Sequence, residues 1–202
     1  MNIRQRYARL APFYDAFDIF ERLYKRRLRS QIFAGLGGLI LDAGAGTGPN
    51  VAFYPDGARV LAIDLSPEML VRARRRCDRL DKSADLAAMD ILRMGFRDST
   101  FDAVVAAFIF CVLDETMQAP ALAELARVCK PGGEIRILDY TVSPRVLPRM
   151  GTALWQPWQN LVYGGTFDRH TERYLIPAGL ALRREERMLQ DTVRILYTQA
   201  AG

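Results

Sequence analysis

Apolar side chains near the start of the chain recur with a helical rhythm. Phe13, Phe17, Phe20, Leu23, Tyr24, Leu28 and Ile32 follow the i, i+3, i+4, i+7 spacing of one buried helix face. Gly35, Gly37 and Gly38 end that pattern. The period then changes. Short apolar runs predict strands over residues 39–41, 59–64, 85–89 (the weakest), 101–107 and 134–138. Between them Ser66 is placed to cap a helix that has Pro67 at its first position, and residues 119–128 predict another. Lys130-Pro131-Gly132-Gly133 predicts a tight turn before the fifth strand. Residues 182–186 and 192–198 alternate, predicting a hairpin through Leu189–Gln190.

Strands and helices in alternation imply a parallel sheet covered by helices, an α/β architecture. Such sheets bind ligands beyond the carboxyl ends of their strands. Asp42, Asp64, Asp90 and the pair Ala107–Phe108 fall at those ends and should converge on one crevice. A chain of 202 residues, 50% hydrophobic, suits one domain with a substantial core.

Charge adds a detail that the pattern lacks. Residues 1–30 hold eight basic side chains, Arg4, Arg6, Arg9, Arg22, Lys25, Arg26, Arg27 and Arg29, against Asp15, Asp18 and Glu21. They carry the whole net charge of +5, so this amphipathic segment faces something anionic or keeps the chain soluble. No run of 18 apolar residues and no signal-peptide core is present, which places the protein in the cytoplasm. Cys77, Cys111 and Cys129 lack CxxC spacing and His170 is the single histidine, so reduced structural thiols and metal-free chemistry are expected.

The turn Asp42-Ala43-Gly44-Ala45-Gly46-Thr47-Gly48 brings backbone close to a ligand. Asp64, twenty residues after Gly44, can accept both hydroxyls of a ribose. Its alternative role as a helix cap is better filled by Ser66. An NAD-dependent oxidoreductase would share this pair. However, 38 residues precede the first strand, and Gly44-x-Gly46-x-Gly48 is not the GxGxxG of a pyrophosphate site. Asp90 could accept a hydrogen bond from an adenine amino group, with Ile91 over the ring.

These motifs, with Phe101-Asp102-Ala103-Val104 and Arg127-Val128-Cys129-Lys130-Pro131-Gly132-Gly133, resemble the class I S-adenosylmethionine (SAM)-dependent methyltransferases across residues 39–139. The resemblance implies a Rossmann-like seven-stranded, mostly parallel sheet with an antiparallel C-terminal hairpin, preceded by N-terminal amphipathic helices. It divides the single domain into a basic cap (1–38), a SAM-binding core (39–140), an aromatic substrate lid (141–166) and a C-terminal helix and hairpin (167–202). It also implies SAM as cofactor and S-adenosylhomocysteine as product. Asp42, Gly44, Gly46 and Asn50 would lie at the methionine end, Asp64 and Leu65 at the ribose, Met69, Asp90 and Ile91 at the adenine, and Ala107 beside them.

Residues 7–15 resemble the first helix of the ubiquinone/menaquinone methyltransferase group, in which an aromatic such as Tyr14 closes over SAM. As core residues, Tyr7 and Tyr14 would share one helix face instead. The stretch Ala107-Phe108-Ile109-Phe110-Cys111-Val112-Leu113 lacks the Gly, Arg and Asn of quinone methylases and the Pro-Pro-Tyr/Phe of base-methylating enzymes. With the segment 166–172 it is more similar to bacterial phospholipid N-methyltransferases, implying methylation of phosphatidylethanolamine. The expected partners are then a phospholipid substrate and an anionic membrane surface met by the N-terminal helix, with peripheral attachment to the inner face of the cell membrane and no nucleic acid. Leu147, Leu154, Trp155, Trp158, Leu161 and Tyr163 suit either an interfacial helix or a plain lid.

Tyr7, Tyr14, Tyr140 and Tyr163 are candidates for an aromatic cage around a quaternary ammonium. His170, the single histidine, could accept the substrate's proton, bind lipid phosphate beside Arg169 and Arg173, or be structural. A quinone-type C-methyltransferase and a SAM-binding regulator without activity remain as alternatives.

Overall fold

The computed structural model describes residues 22–162 and 165–200. Its strands are β1 (Leu39–Ala43), β2 (Arg59–Asp64), β3 (Asp85–Ala88), β4 (Phe101–Ala107), β5 (Cys129–Tyr140), β6 (Leu180–Met188) and β7 (Val193–Ala200). The helices are α1 (Arg22–Phe33), α2 (Pro67–Leu80), α3 (Glu115–Val128) and α4 (Val146–Val162). The strands form one seven-stranded sheet in the order β3-β2-β1-β4-β5-β7-β6. β1 to β5 pair in parallel, while β7 runs antiparallel to both β5 and β6.

The central strands read as nearly continuous apolar runs because both of their faces are covered. Successive side chains point to opposite sides. Leu41, Ile63, Val104 and Ile137 meet Leu122 and Leu125 of α3. Ile40, Val60, Val105 and Leu138 meet Leu28, Ile32 and Phe33 of α1 and Cys77 of α2. Strand β6, at the edge, is mostly exposed and carries Arg183, Arg184, Glu185, Glu186 and Arg187, charges that discourage pairing with another chain.

The predicted elements recur with three adjustments. Helix α3 begins at Glu115 after Asp114, four residues before the expected start, and takes Pro120 into its body. Pro120 is the sixth residue of the helix, so it removes the bond to Thr116 O and crowds that carbonyl. The predicted turn at Lys130–Gly133 is an excursion inside β5: Phe101 pairs with Cys129, and Ala103 already pairs with Glu134. Asp102 anchors it, accepting from Leu39 N–H at 2.7 Å and from Lys130 Nζ at 2.6 Å. Third, residues 171–174 form a short 3-10 turn after His170 where a helix was expected.

The hairpin turns through Leu189, Gln190 and Asp191, all left-handed. It is held by Ser143 Oγ donating to Gln190 O at 2.8 Å and by an Arg145–Asp191 ion pair at 3.0 Å. Cys77, Cys111 and Cys129 are buried and not joined in disulfides. Among the described residues, no helix is long and apolar enough to cross a membrane. The expected N-terminal helix is described only as α1; Tyr7 and Tyr14 lie outside the described residues, as does Tyr163.

Candidate active site

The loop leaving β1 is fastened to the end of β2. Gly44 and Ala45 donate to Ile63 O at 2.9 and 2.8 Å, and Gly46 N–H donates to Asp64 Oδ2 at 2.8 Å. Asp64 Oδ1 accepts from Ser66 N–H at 2.9 Å. Ser66 caps α2, its hydroxyl accepting from Met69 N–H at 3.3 Å, which frees Asp64 from that duty. Burial raises the Asp64 carboxyl above its ordinary range, opposed by these amides.

Two loop glycines differ instructively. Gly44 has φ +78°, and a Cβ there would come within 2.4 Å of Ile109 Cδ1. Gly46 has φ +57°, and its Cβ would project into open space. That open space belongs to a cleft of about 400 Å³ at the carboxyl ends of the strands.

The cleft gathers most of the expected cofactor residues. Gly44 and Gly46 come from the first loop, Asp64, Leu65 and Met69 from the second, Asp90 and Ile91 from the third, and Ala107 from the end of β4. Asp90 Oδ1 accepts from Leu92 N–H at 2.9 Å, which shapes the third loop.

Asp42 and Asn50 stand beneath the loop and do not line the cleft. Asn50 Nδ2 donates to both oxygens of the buried Asp42, at 2.9 and 3.0 Å, and Tyr54 OH donates to it at 2.7 Å. Burial pushes the Asp42 carboxyl up to about 6, against the pull of Tyr54, Asn50 and Arg29.

The remaining wall is Phe108 with the aliphatic Ile109, Val112, Leu113 and Met117. Phe108 holds a left-handed backbone at φ 57°, a conformation that costs an aromatic residue on the order of 1–3 kcal/mol and tends to mark functional sites. Its ring stands 5.0 Å from Tyr140, and Tyr140 stands 4.8 Å from Phe167. Tyr140 is buried behind Phe108 and does not line the cleft. At the end of β5, Asp139 accepts from the N–H groups of Cys111 and Tyr140, each at 2.7 Å, fixing the turn after Phe108. Burial pushes its carboxyl up to about 6.

The expected phosphate group of residues lies elsewhere. His170 Nδ1 meets Glu172 Oε1 at 3.2 Å, and Glu172 also accepts from the buried Arg194. Arg169 lies 3.8 Å from Asp114 and 3.6 Å from Glu115, and Arg173 is exposed. None of the three lines the cleft.

Several cleft residues were missed, among them Met89, Leu92, Met117 and one charged side chain. Arg29 of α1 is buried and lines the cleft. It donates to Asn50 Oδ1 and lies over the Phe108 ring at 5.2 Å. As part of a basic segment it was grouped with surface charge. Its signal was positional: Arg29 lies three and four residues before Ile32 and Phe33, on the buried stripe of α1.

Comparison with known proteins places this geometry. A family model described as a methyltransferase domain matches residues 40–133. A phosphatidylethanolamine N-methyltransferase of Cereibacter sphaeroides is 35% identical over 140 residues, covering 68% of each chain. A demethylmenaquinone methyltransferase of Thermobifida fusca is 38% identical over 144 residues, covering 68% of this chain and 60% of the relative. Among solved structures, a chain from the complex of the Haloferax volcanii Trm112 methyltransferase activator with its methyltransferase superposes with a TM-score of 0.78 at 18% identity, covering 100% of this chain and 98% of that one. Geranyl diphosphate C-methyltransferase of Streptomyces coelicolor, in complex with S-adenosyl-L-homocysteine, gives 0.69 at 15% identity, covering 87% and 81%. The structural likenesses, at these identities, concern the fold.

Proposed function

This chain belongs to the class I SAM-dependent methyltransferases, and on that premise we propose that it methylates the ethanolamine headgroup of phospholipids, phosphatidylethanolamine towards phosphatidylcholine, at a membrane surface. Its cofactor is SAM, released as S-adenosylhomocysteine.

The observation that carries the lipid reading is helix α4. Val146, Leu147, Met150, Leu154 and Trp155 are each more than half exposed. Arg145 and Arg149 accompany them, and no acidic residue occurs from 143 to 163. Helices of this composition lie in the headgroup region, where tryptophan is favoured and each arginine near an anionic surface is worth about 1 kcal/mol. The basic N-terminal segment would add to that attraction. Helix α4 is tied to the segment that packs on Tyr140 behind Phe108, since Gln156 Oε1 accepts from Phe167 N–H at 3.1 Å. The name of the Cereibacter relative supports the same acceptor.

The cleft fits the cofactor. Its volume is that of a small-molecule site. Gly46 offers a face with no side chain, and the Asp64 carboxylate, having accepted one amide on each oxygen, keeps acceptor capacity for two ribose hydroxyls. When bound, SAM supplies a methyl group on a sulfonium, open to in-line displacement. The chain's work is alignment. Asp64 and Asp90 fix ribose and adenine, Met69 and Ile91 flank the ring, and the wall begun by Phe108 keeps water from the acceptor side.

The acceptor amine must lose a proton before each attack, to solvent or to His170, which Glu172 orients. A lipid phosphate reaching Arg169 and His170 must compete with Asp114, Glu115 and Glu172. Tyr140 would serve the acceptor through Phe108.

Quinone C-methylation is the second reading, favoured by the Thermobifida relative. Incubation with labelled SAM and either phosphatidylethanolamine vesicles or demethylmenaquinone separates the two. Label in mono-, di- or trimethylated phospholipid is expected; label in the quinone alone would overturn the proposal.

A further inference from the structure

The space beside helix α4 is a second concavity, of about 490 Å³, in the size range of small-molecule sites. The helix is tied to the domain near both ends. Before its start Arg145 pairs with Asp191 at 3.0 Å and Ser143 Oγ donates to Gln190 O at 2.8 Å. Towards its end Gln156 Nε2 donates to Gly165 O at 3.2 Å. Between those ties Pro148, Gly151, Thr152 and Trp155, spaced i, i+3, i+4 and i+7, turn one face to the hairpin. The small residues fall in the middle of that face. A groove therefore runs between the helix and Leu189 and Thr192, with the buried Phe167 in its lining. Glycine is, after proline, the least favourable residue for a helix interior. Gly151 stands there although none of the described atoms comes within 4 Å of an added Cβ, so close packing does not require it. A side chain at this position would take up the groove itself.

The chemistry of the lining selects the occupant. The Thr152 hydroxyl donates to Arg149 O at 2.9 Å, the Thr192 hydroxyl donates to Leu189 O at 2.7 Å, and Gln190 O accepts from Ser143. An extended peptide would bring backbone N–H and C=O groups to a surface whose hydroxyls are already engaged. A hydrocarbon chain brings none. Arg145 and Arg149 stand at the start of the helix, and no acidic residue occurs from 143 to 163, which suits the phosphate of a lipid whose chain lies alongside.

Position makes the groove a continuation of the cofactor cleft. Ala107 pairs with Leu138 across β4 and β5, and Tyr140 pairs with Val193 across β5 and β7. Phe108 and Thr192 therefore lie beyond the same end of the sheet, two strand spacings or about 10 Å apart. Phe108 lines the cleft, Phe167 lines the groove, and the Tyr140 ring links them, 5.0 Å from the one and 4.8 Å from the other. We infer that the groove between α4 and the hairpin turn holds one acyl chain of the acceptor phospholipid while its headgroup amine is at the cleft. This rests on the ethanolamine-lipid reading and deepens it, since recognition then extends past the headgroup to a chain that leaves the bilayer for the protein.

The test is methyl transfer from labelled SAM to lysophosphatidylethanolamines with butanoyl, hexanoyl and octanoyl chains, beside chainless glycerophosphoethanolamine. All are presented as monomers, so that vesicle docking does not enter. In the wild type kcat/KM should rise about two- to fourfold per added methylene, the upper end being the transfer of a fully buried methylene. Gly151→Leu, which fills the groove with a good helix former, should cut that rise below about 1.5-fold. Leu189→Asn sets a polar side chain in the groove from the opposite side, suits the left-handed backbone there and should also lower the rise. Titration with S-adenosylhomocysteine shows that each variant is folded; if Gly151→Leu is not, Leu189→Asn decides. No rise with chain length in the wild type, or a rise undiminished in the folded variants, would overturn the inference. A flat wild-type series joined by a dimer that Gly151→Leu breaks would give the groove to a second copy instead. No transfer to any ethanolamine acceptor, vesicle phosphatidylethanolamine included, by a chain that binds S-adenosylhomocysteine would remove the lipid reading itself, and the groove assignment with it.

Discussion

Replacing Gly46 by alanine separates the fold from the site more cleanly than any other single change. Gly46 has φ +57° and nothing within 4 Å of an added Cβ, so the substitution meets no clash. The expected loss of stability is that of a left-handed alanine, about 1–2 kcal/mol. For a chain of this length that lowers the melting temperature by roughly 2–8 °C. Gly57 supplies the control, with φ +80° and equally open surroundings in the turn before β2, outside the cleft. Gly57→Ala should therefore cost about the same stability. The two variants should part in binding: the new methyl of Gly46→Ala takes up the face against which the cofactor packs. An affinity loss of at least about 10-fold for S-adenosylhomocysteine is expected, the equivalent of one or two methylene-sized overlaps. Gly57→Ala should bind as the wild type does. Thermal melts and calorimetric titrations on the three proteins settle the matter. Wild-type affinity in Gly46→Ala would refute the argument that this glycine exists to leave room for a ligand. A stability loss confined to one variant would refute the backbone account.

Three further outcomes can be measured. Burial holds the Asp42 and Asp139 carboxyls near 6, above the ordinary 3.8, so the stability linked to their protonated forms is present below pH 4 and lost as pH rises through 6. Ligand-free protein should lose on the order of 1 kcal/mol per group between pH 5 and 7.5; a melting temperature that climbs over that window contradicts the assignment. Leu147→Asp with Leu154→Asp, on exposed positions of α4, should leave the melting temperature within about 2 °C while sharply reducing sedimentation with anionic phosphatidylethanolamine vesicles; undiminished sedimentation would remove α4 from membrane contact. Gln190→Gly, at φ 56° in the hairpin turn, should raise stability by about 1 kcal/mol in urea denaturation, and a loss would show that the side chain matters more than its backbone.

What the sequence made legible follows from how local the chemistry is. Gly44, Gly46, Asp64, Met69, Asp90 and Ile91 could be placed because each sits within a few residues of a strand's carboxyl end, and a parallel sheet brings such ends together by topology alone. Ser66 was legible as a cap for the same reason, since its partner Met69 is three residues away. Asp42 and Asn50 were located correctly along the chain, but their depth was not: burial depends on Tyr54 and Arg29 closing over them, and no short-range pattern reports that.

The acceptor side was less legible because nothing local builds it. Arg29, Phe108, Tyr140 and Phe167 come from α1, the turn after β4, β5 and the segment after α4, and meet only when the sheet is complete. β5 is gripped by β7 from the far end of the chain, with Asp139 opposite Arg194 and Tyr140 opposite Val193. Arg194 in turn holds Glu172, which holds His170. His170, which the sequence leaves as proton acceptor, phosphate ligand or structural residue, is thus the end of a relay anchored in the sheet. That relay holds His170 on Glu172, and Asp114 and Glu115 hold Arg169, so neither lines the cleft. A neutral substitution such as Glu172→Gln would weaken the hold on His170 and leave Arg169 on Asp114 and Glu115.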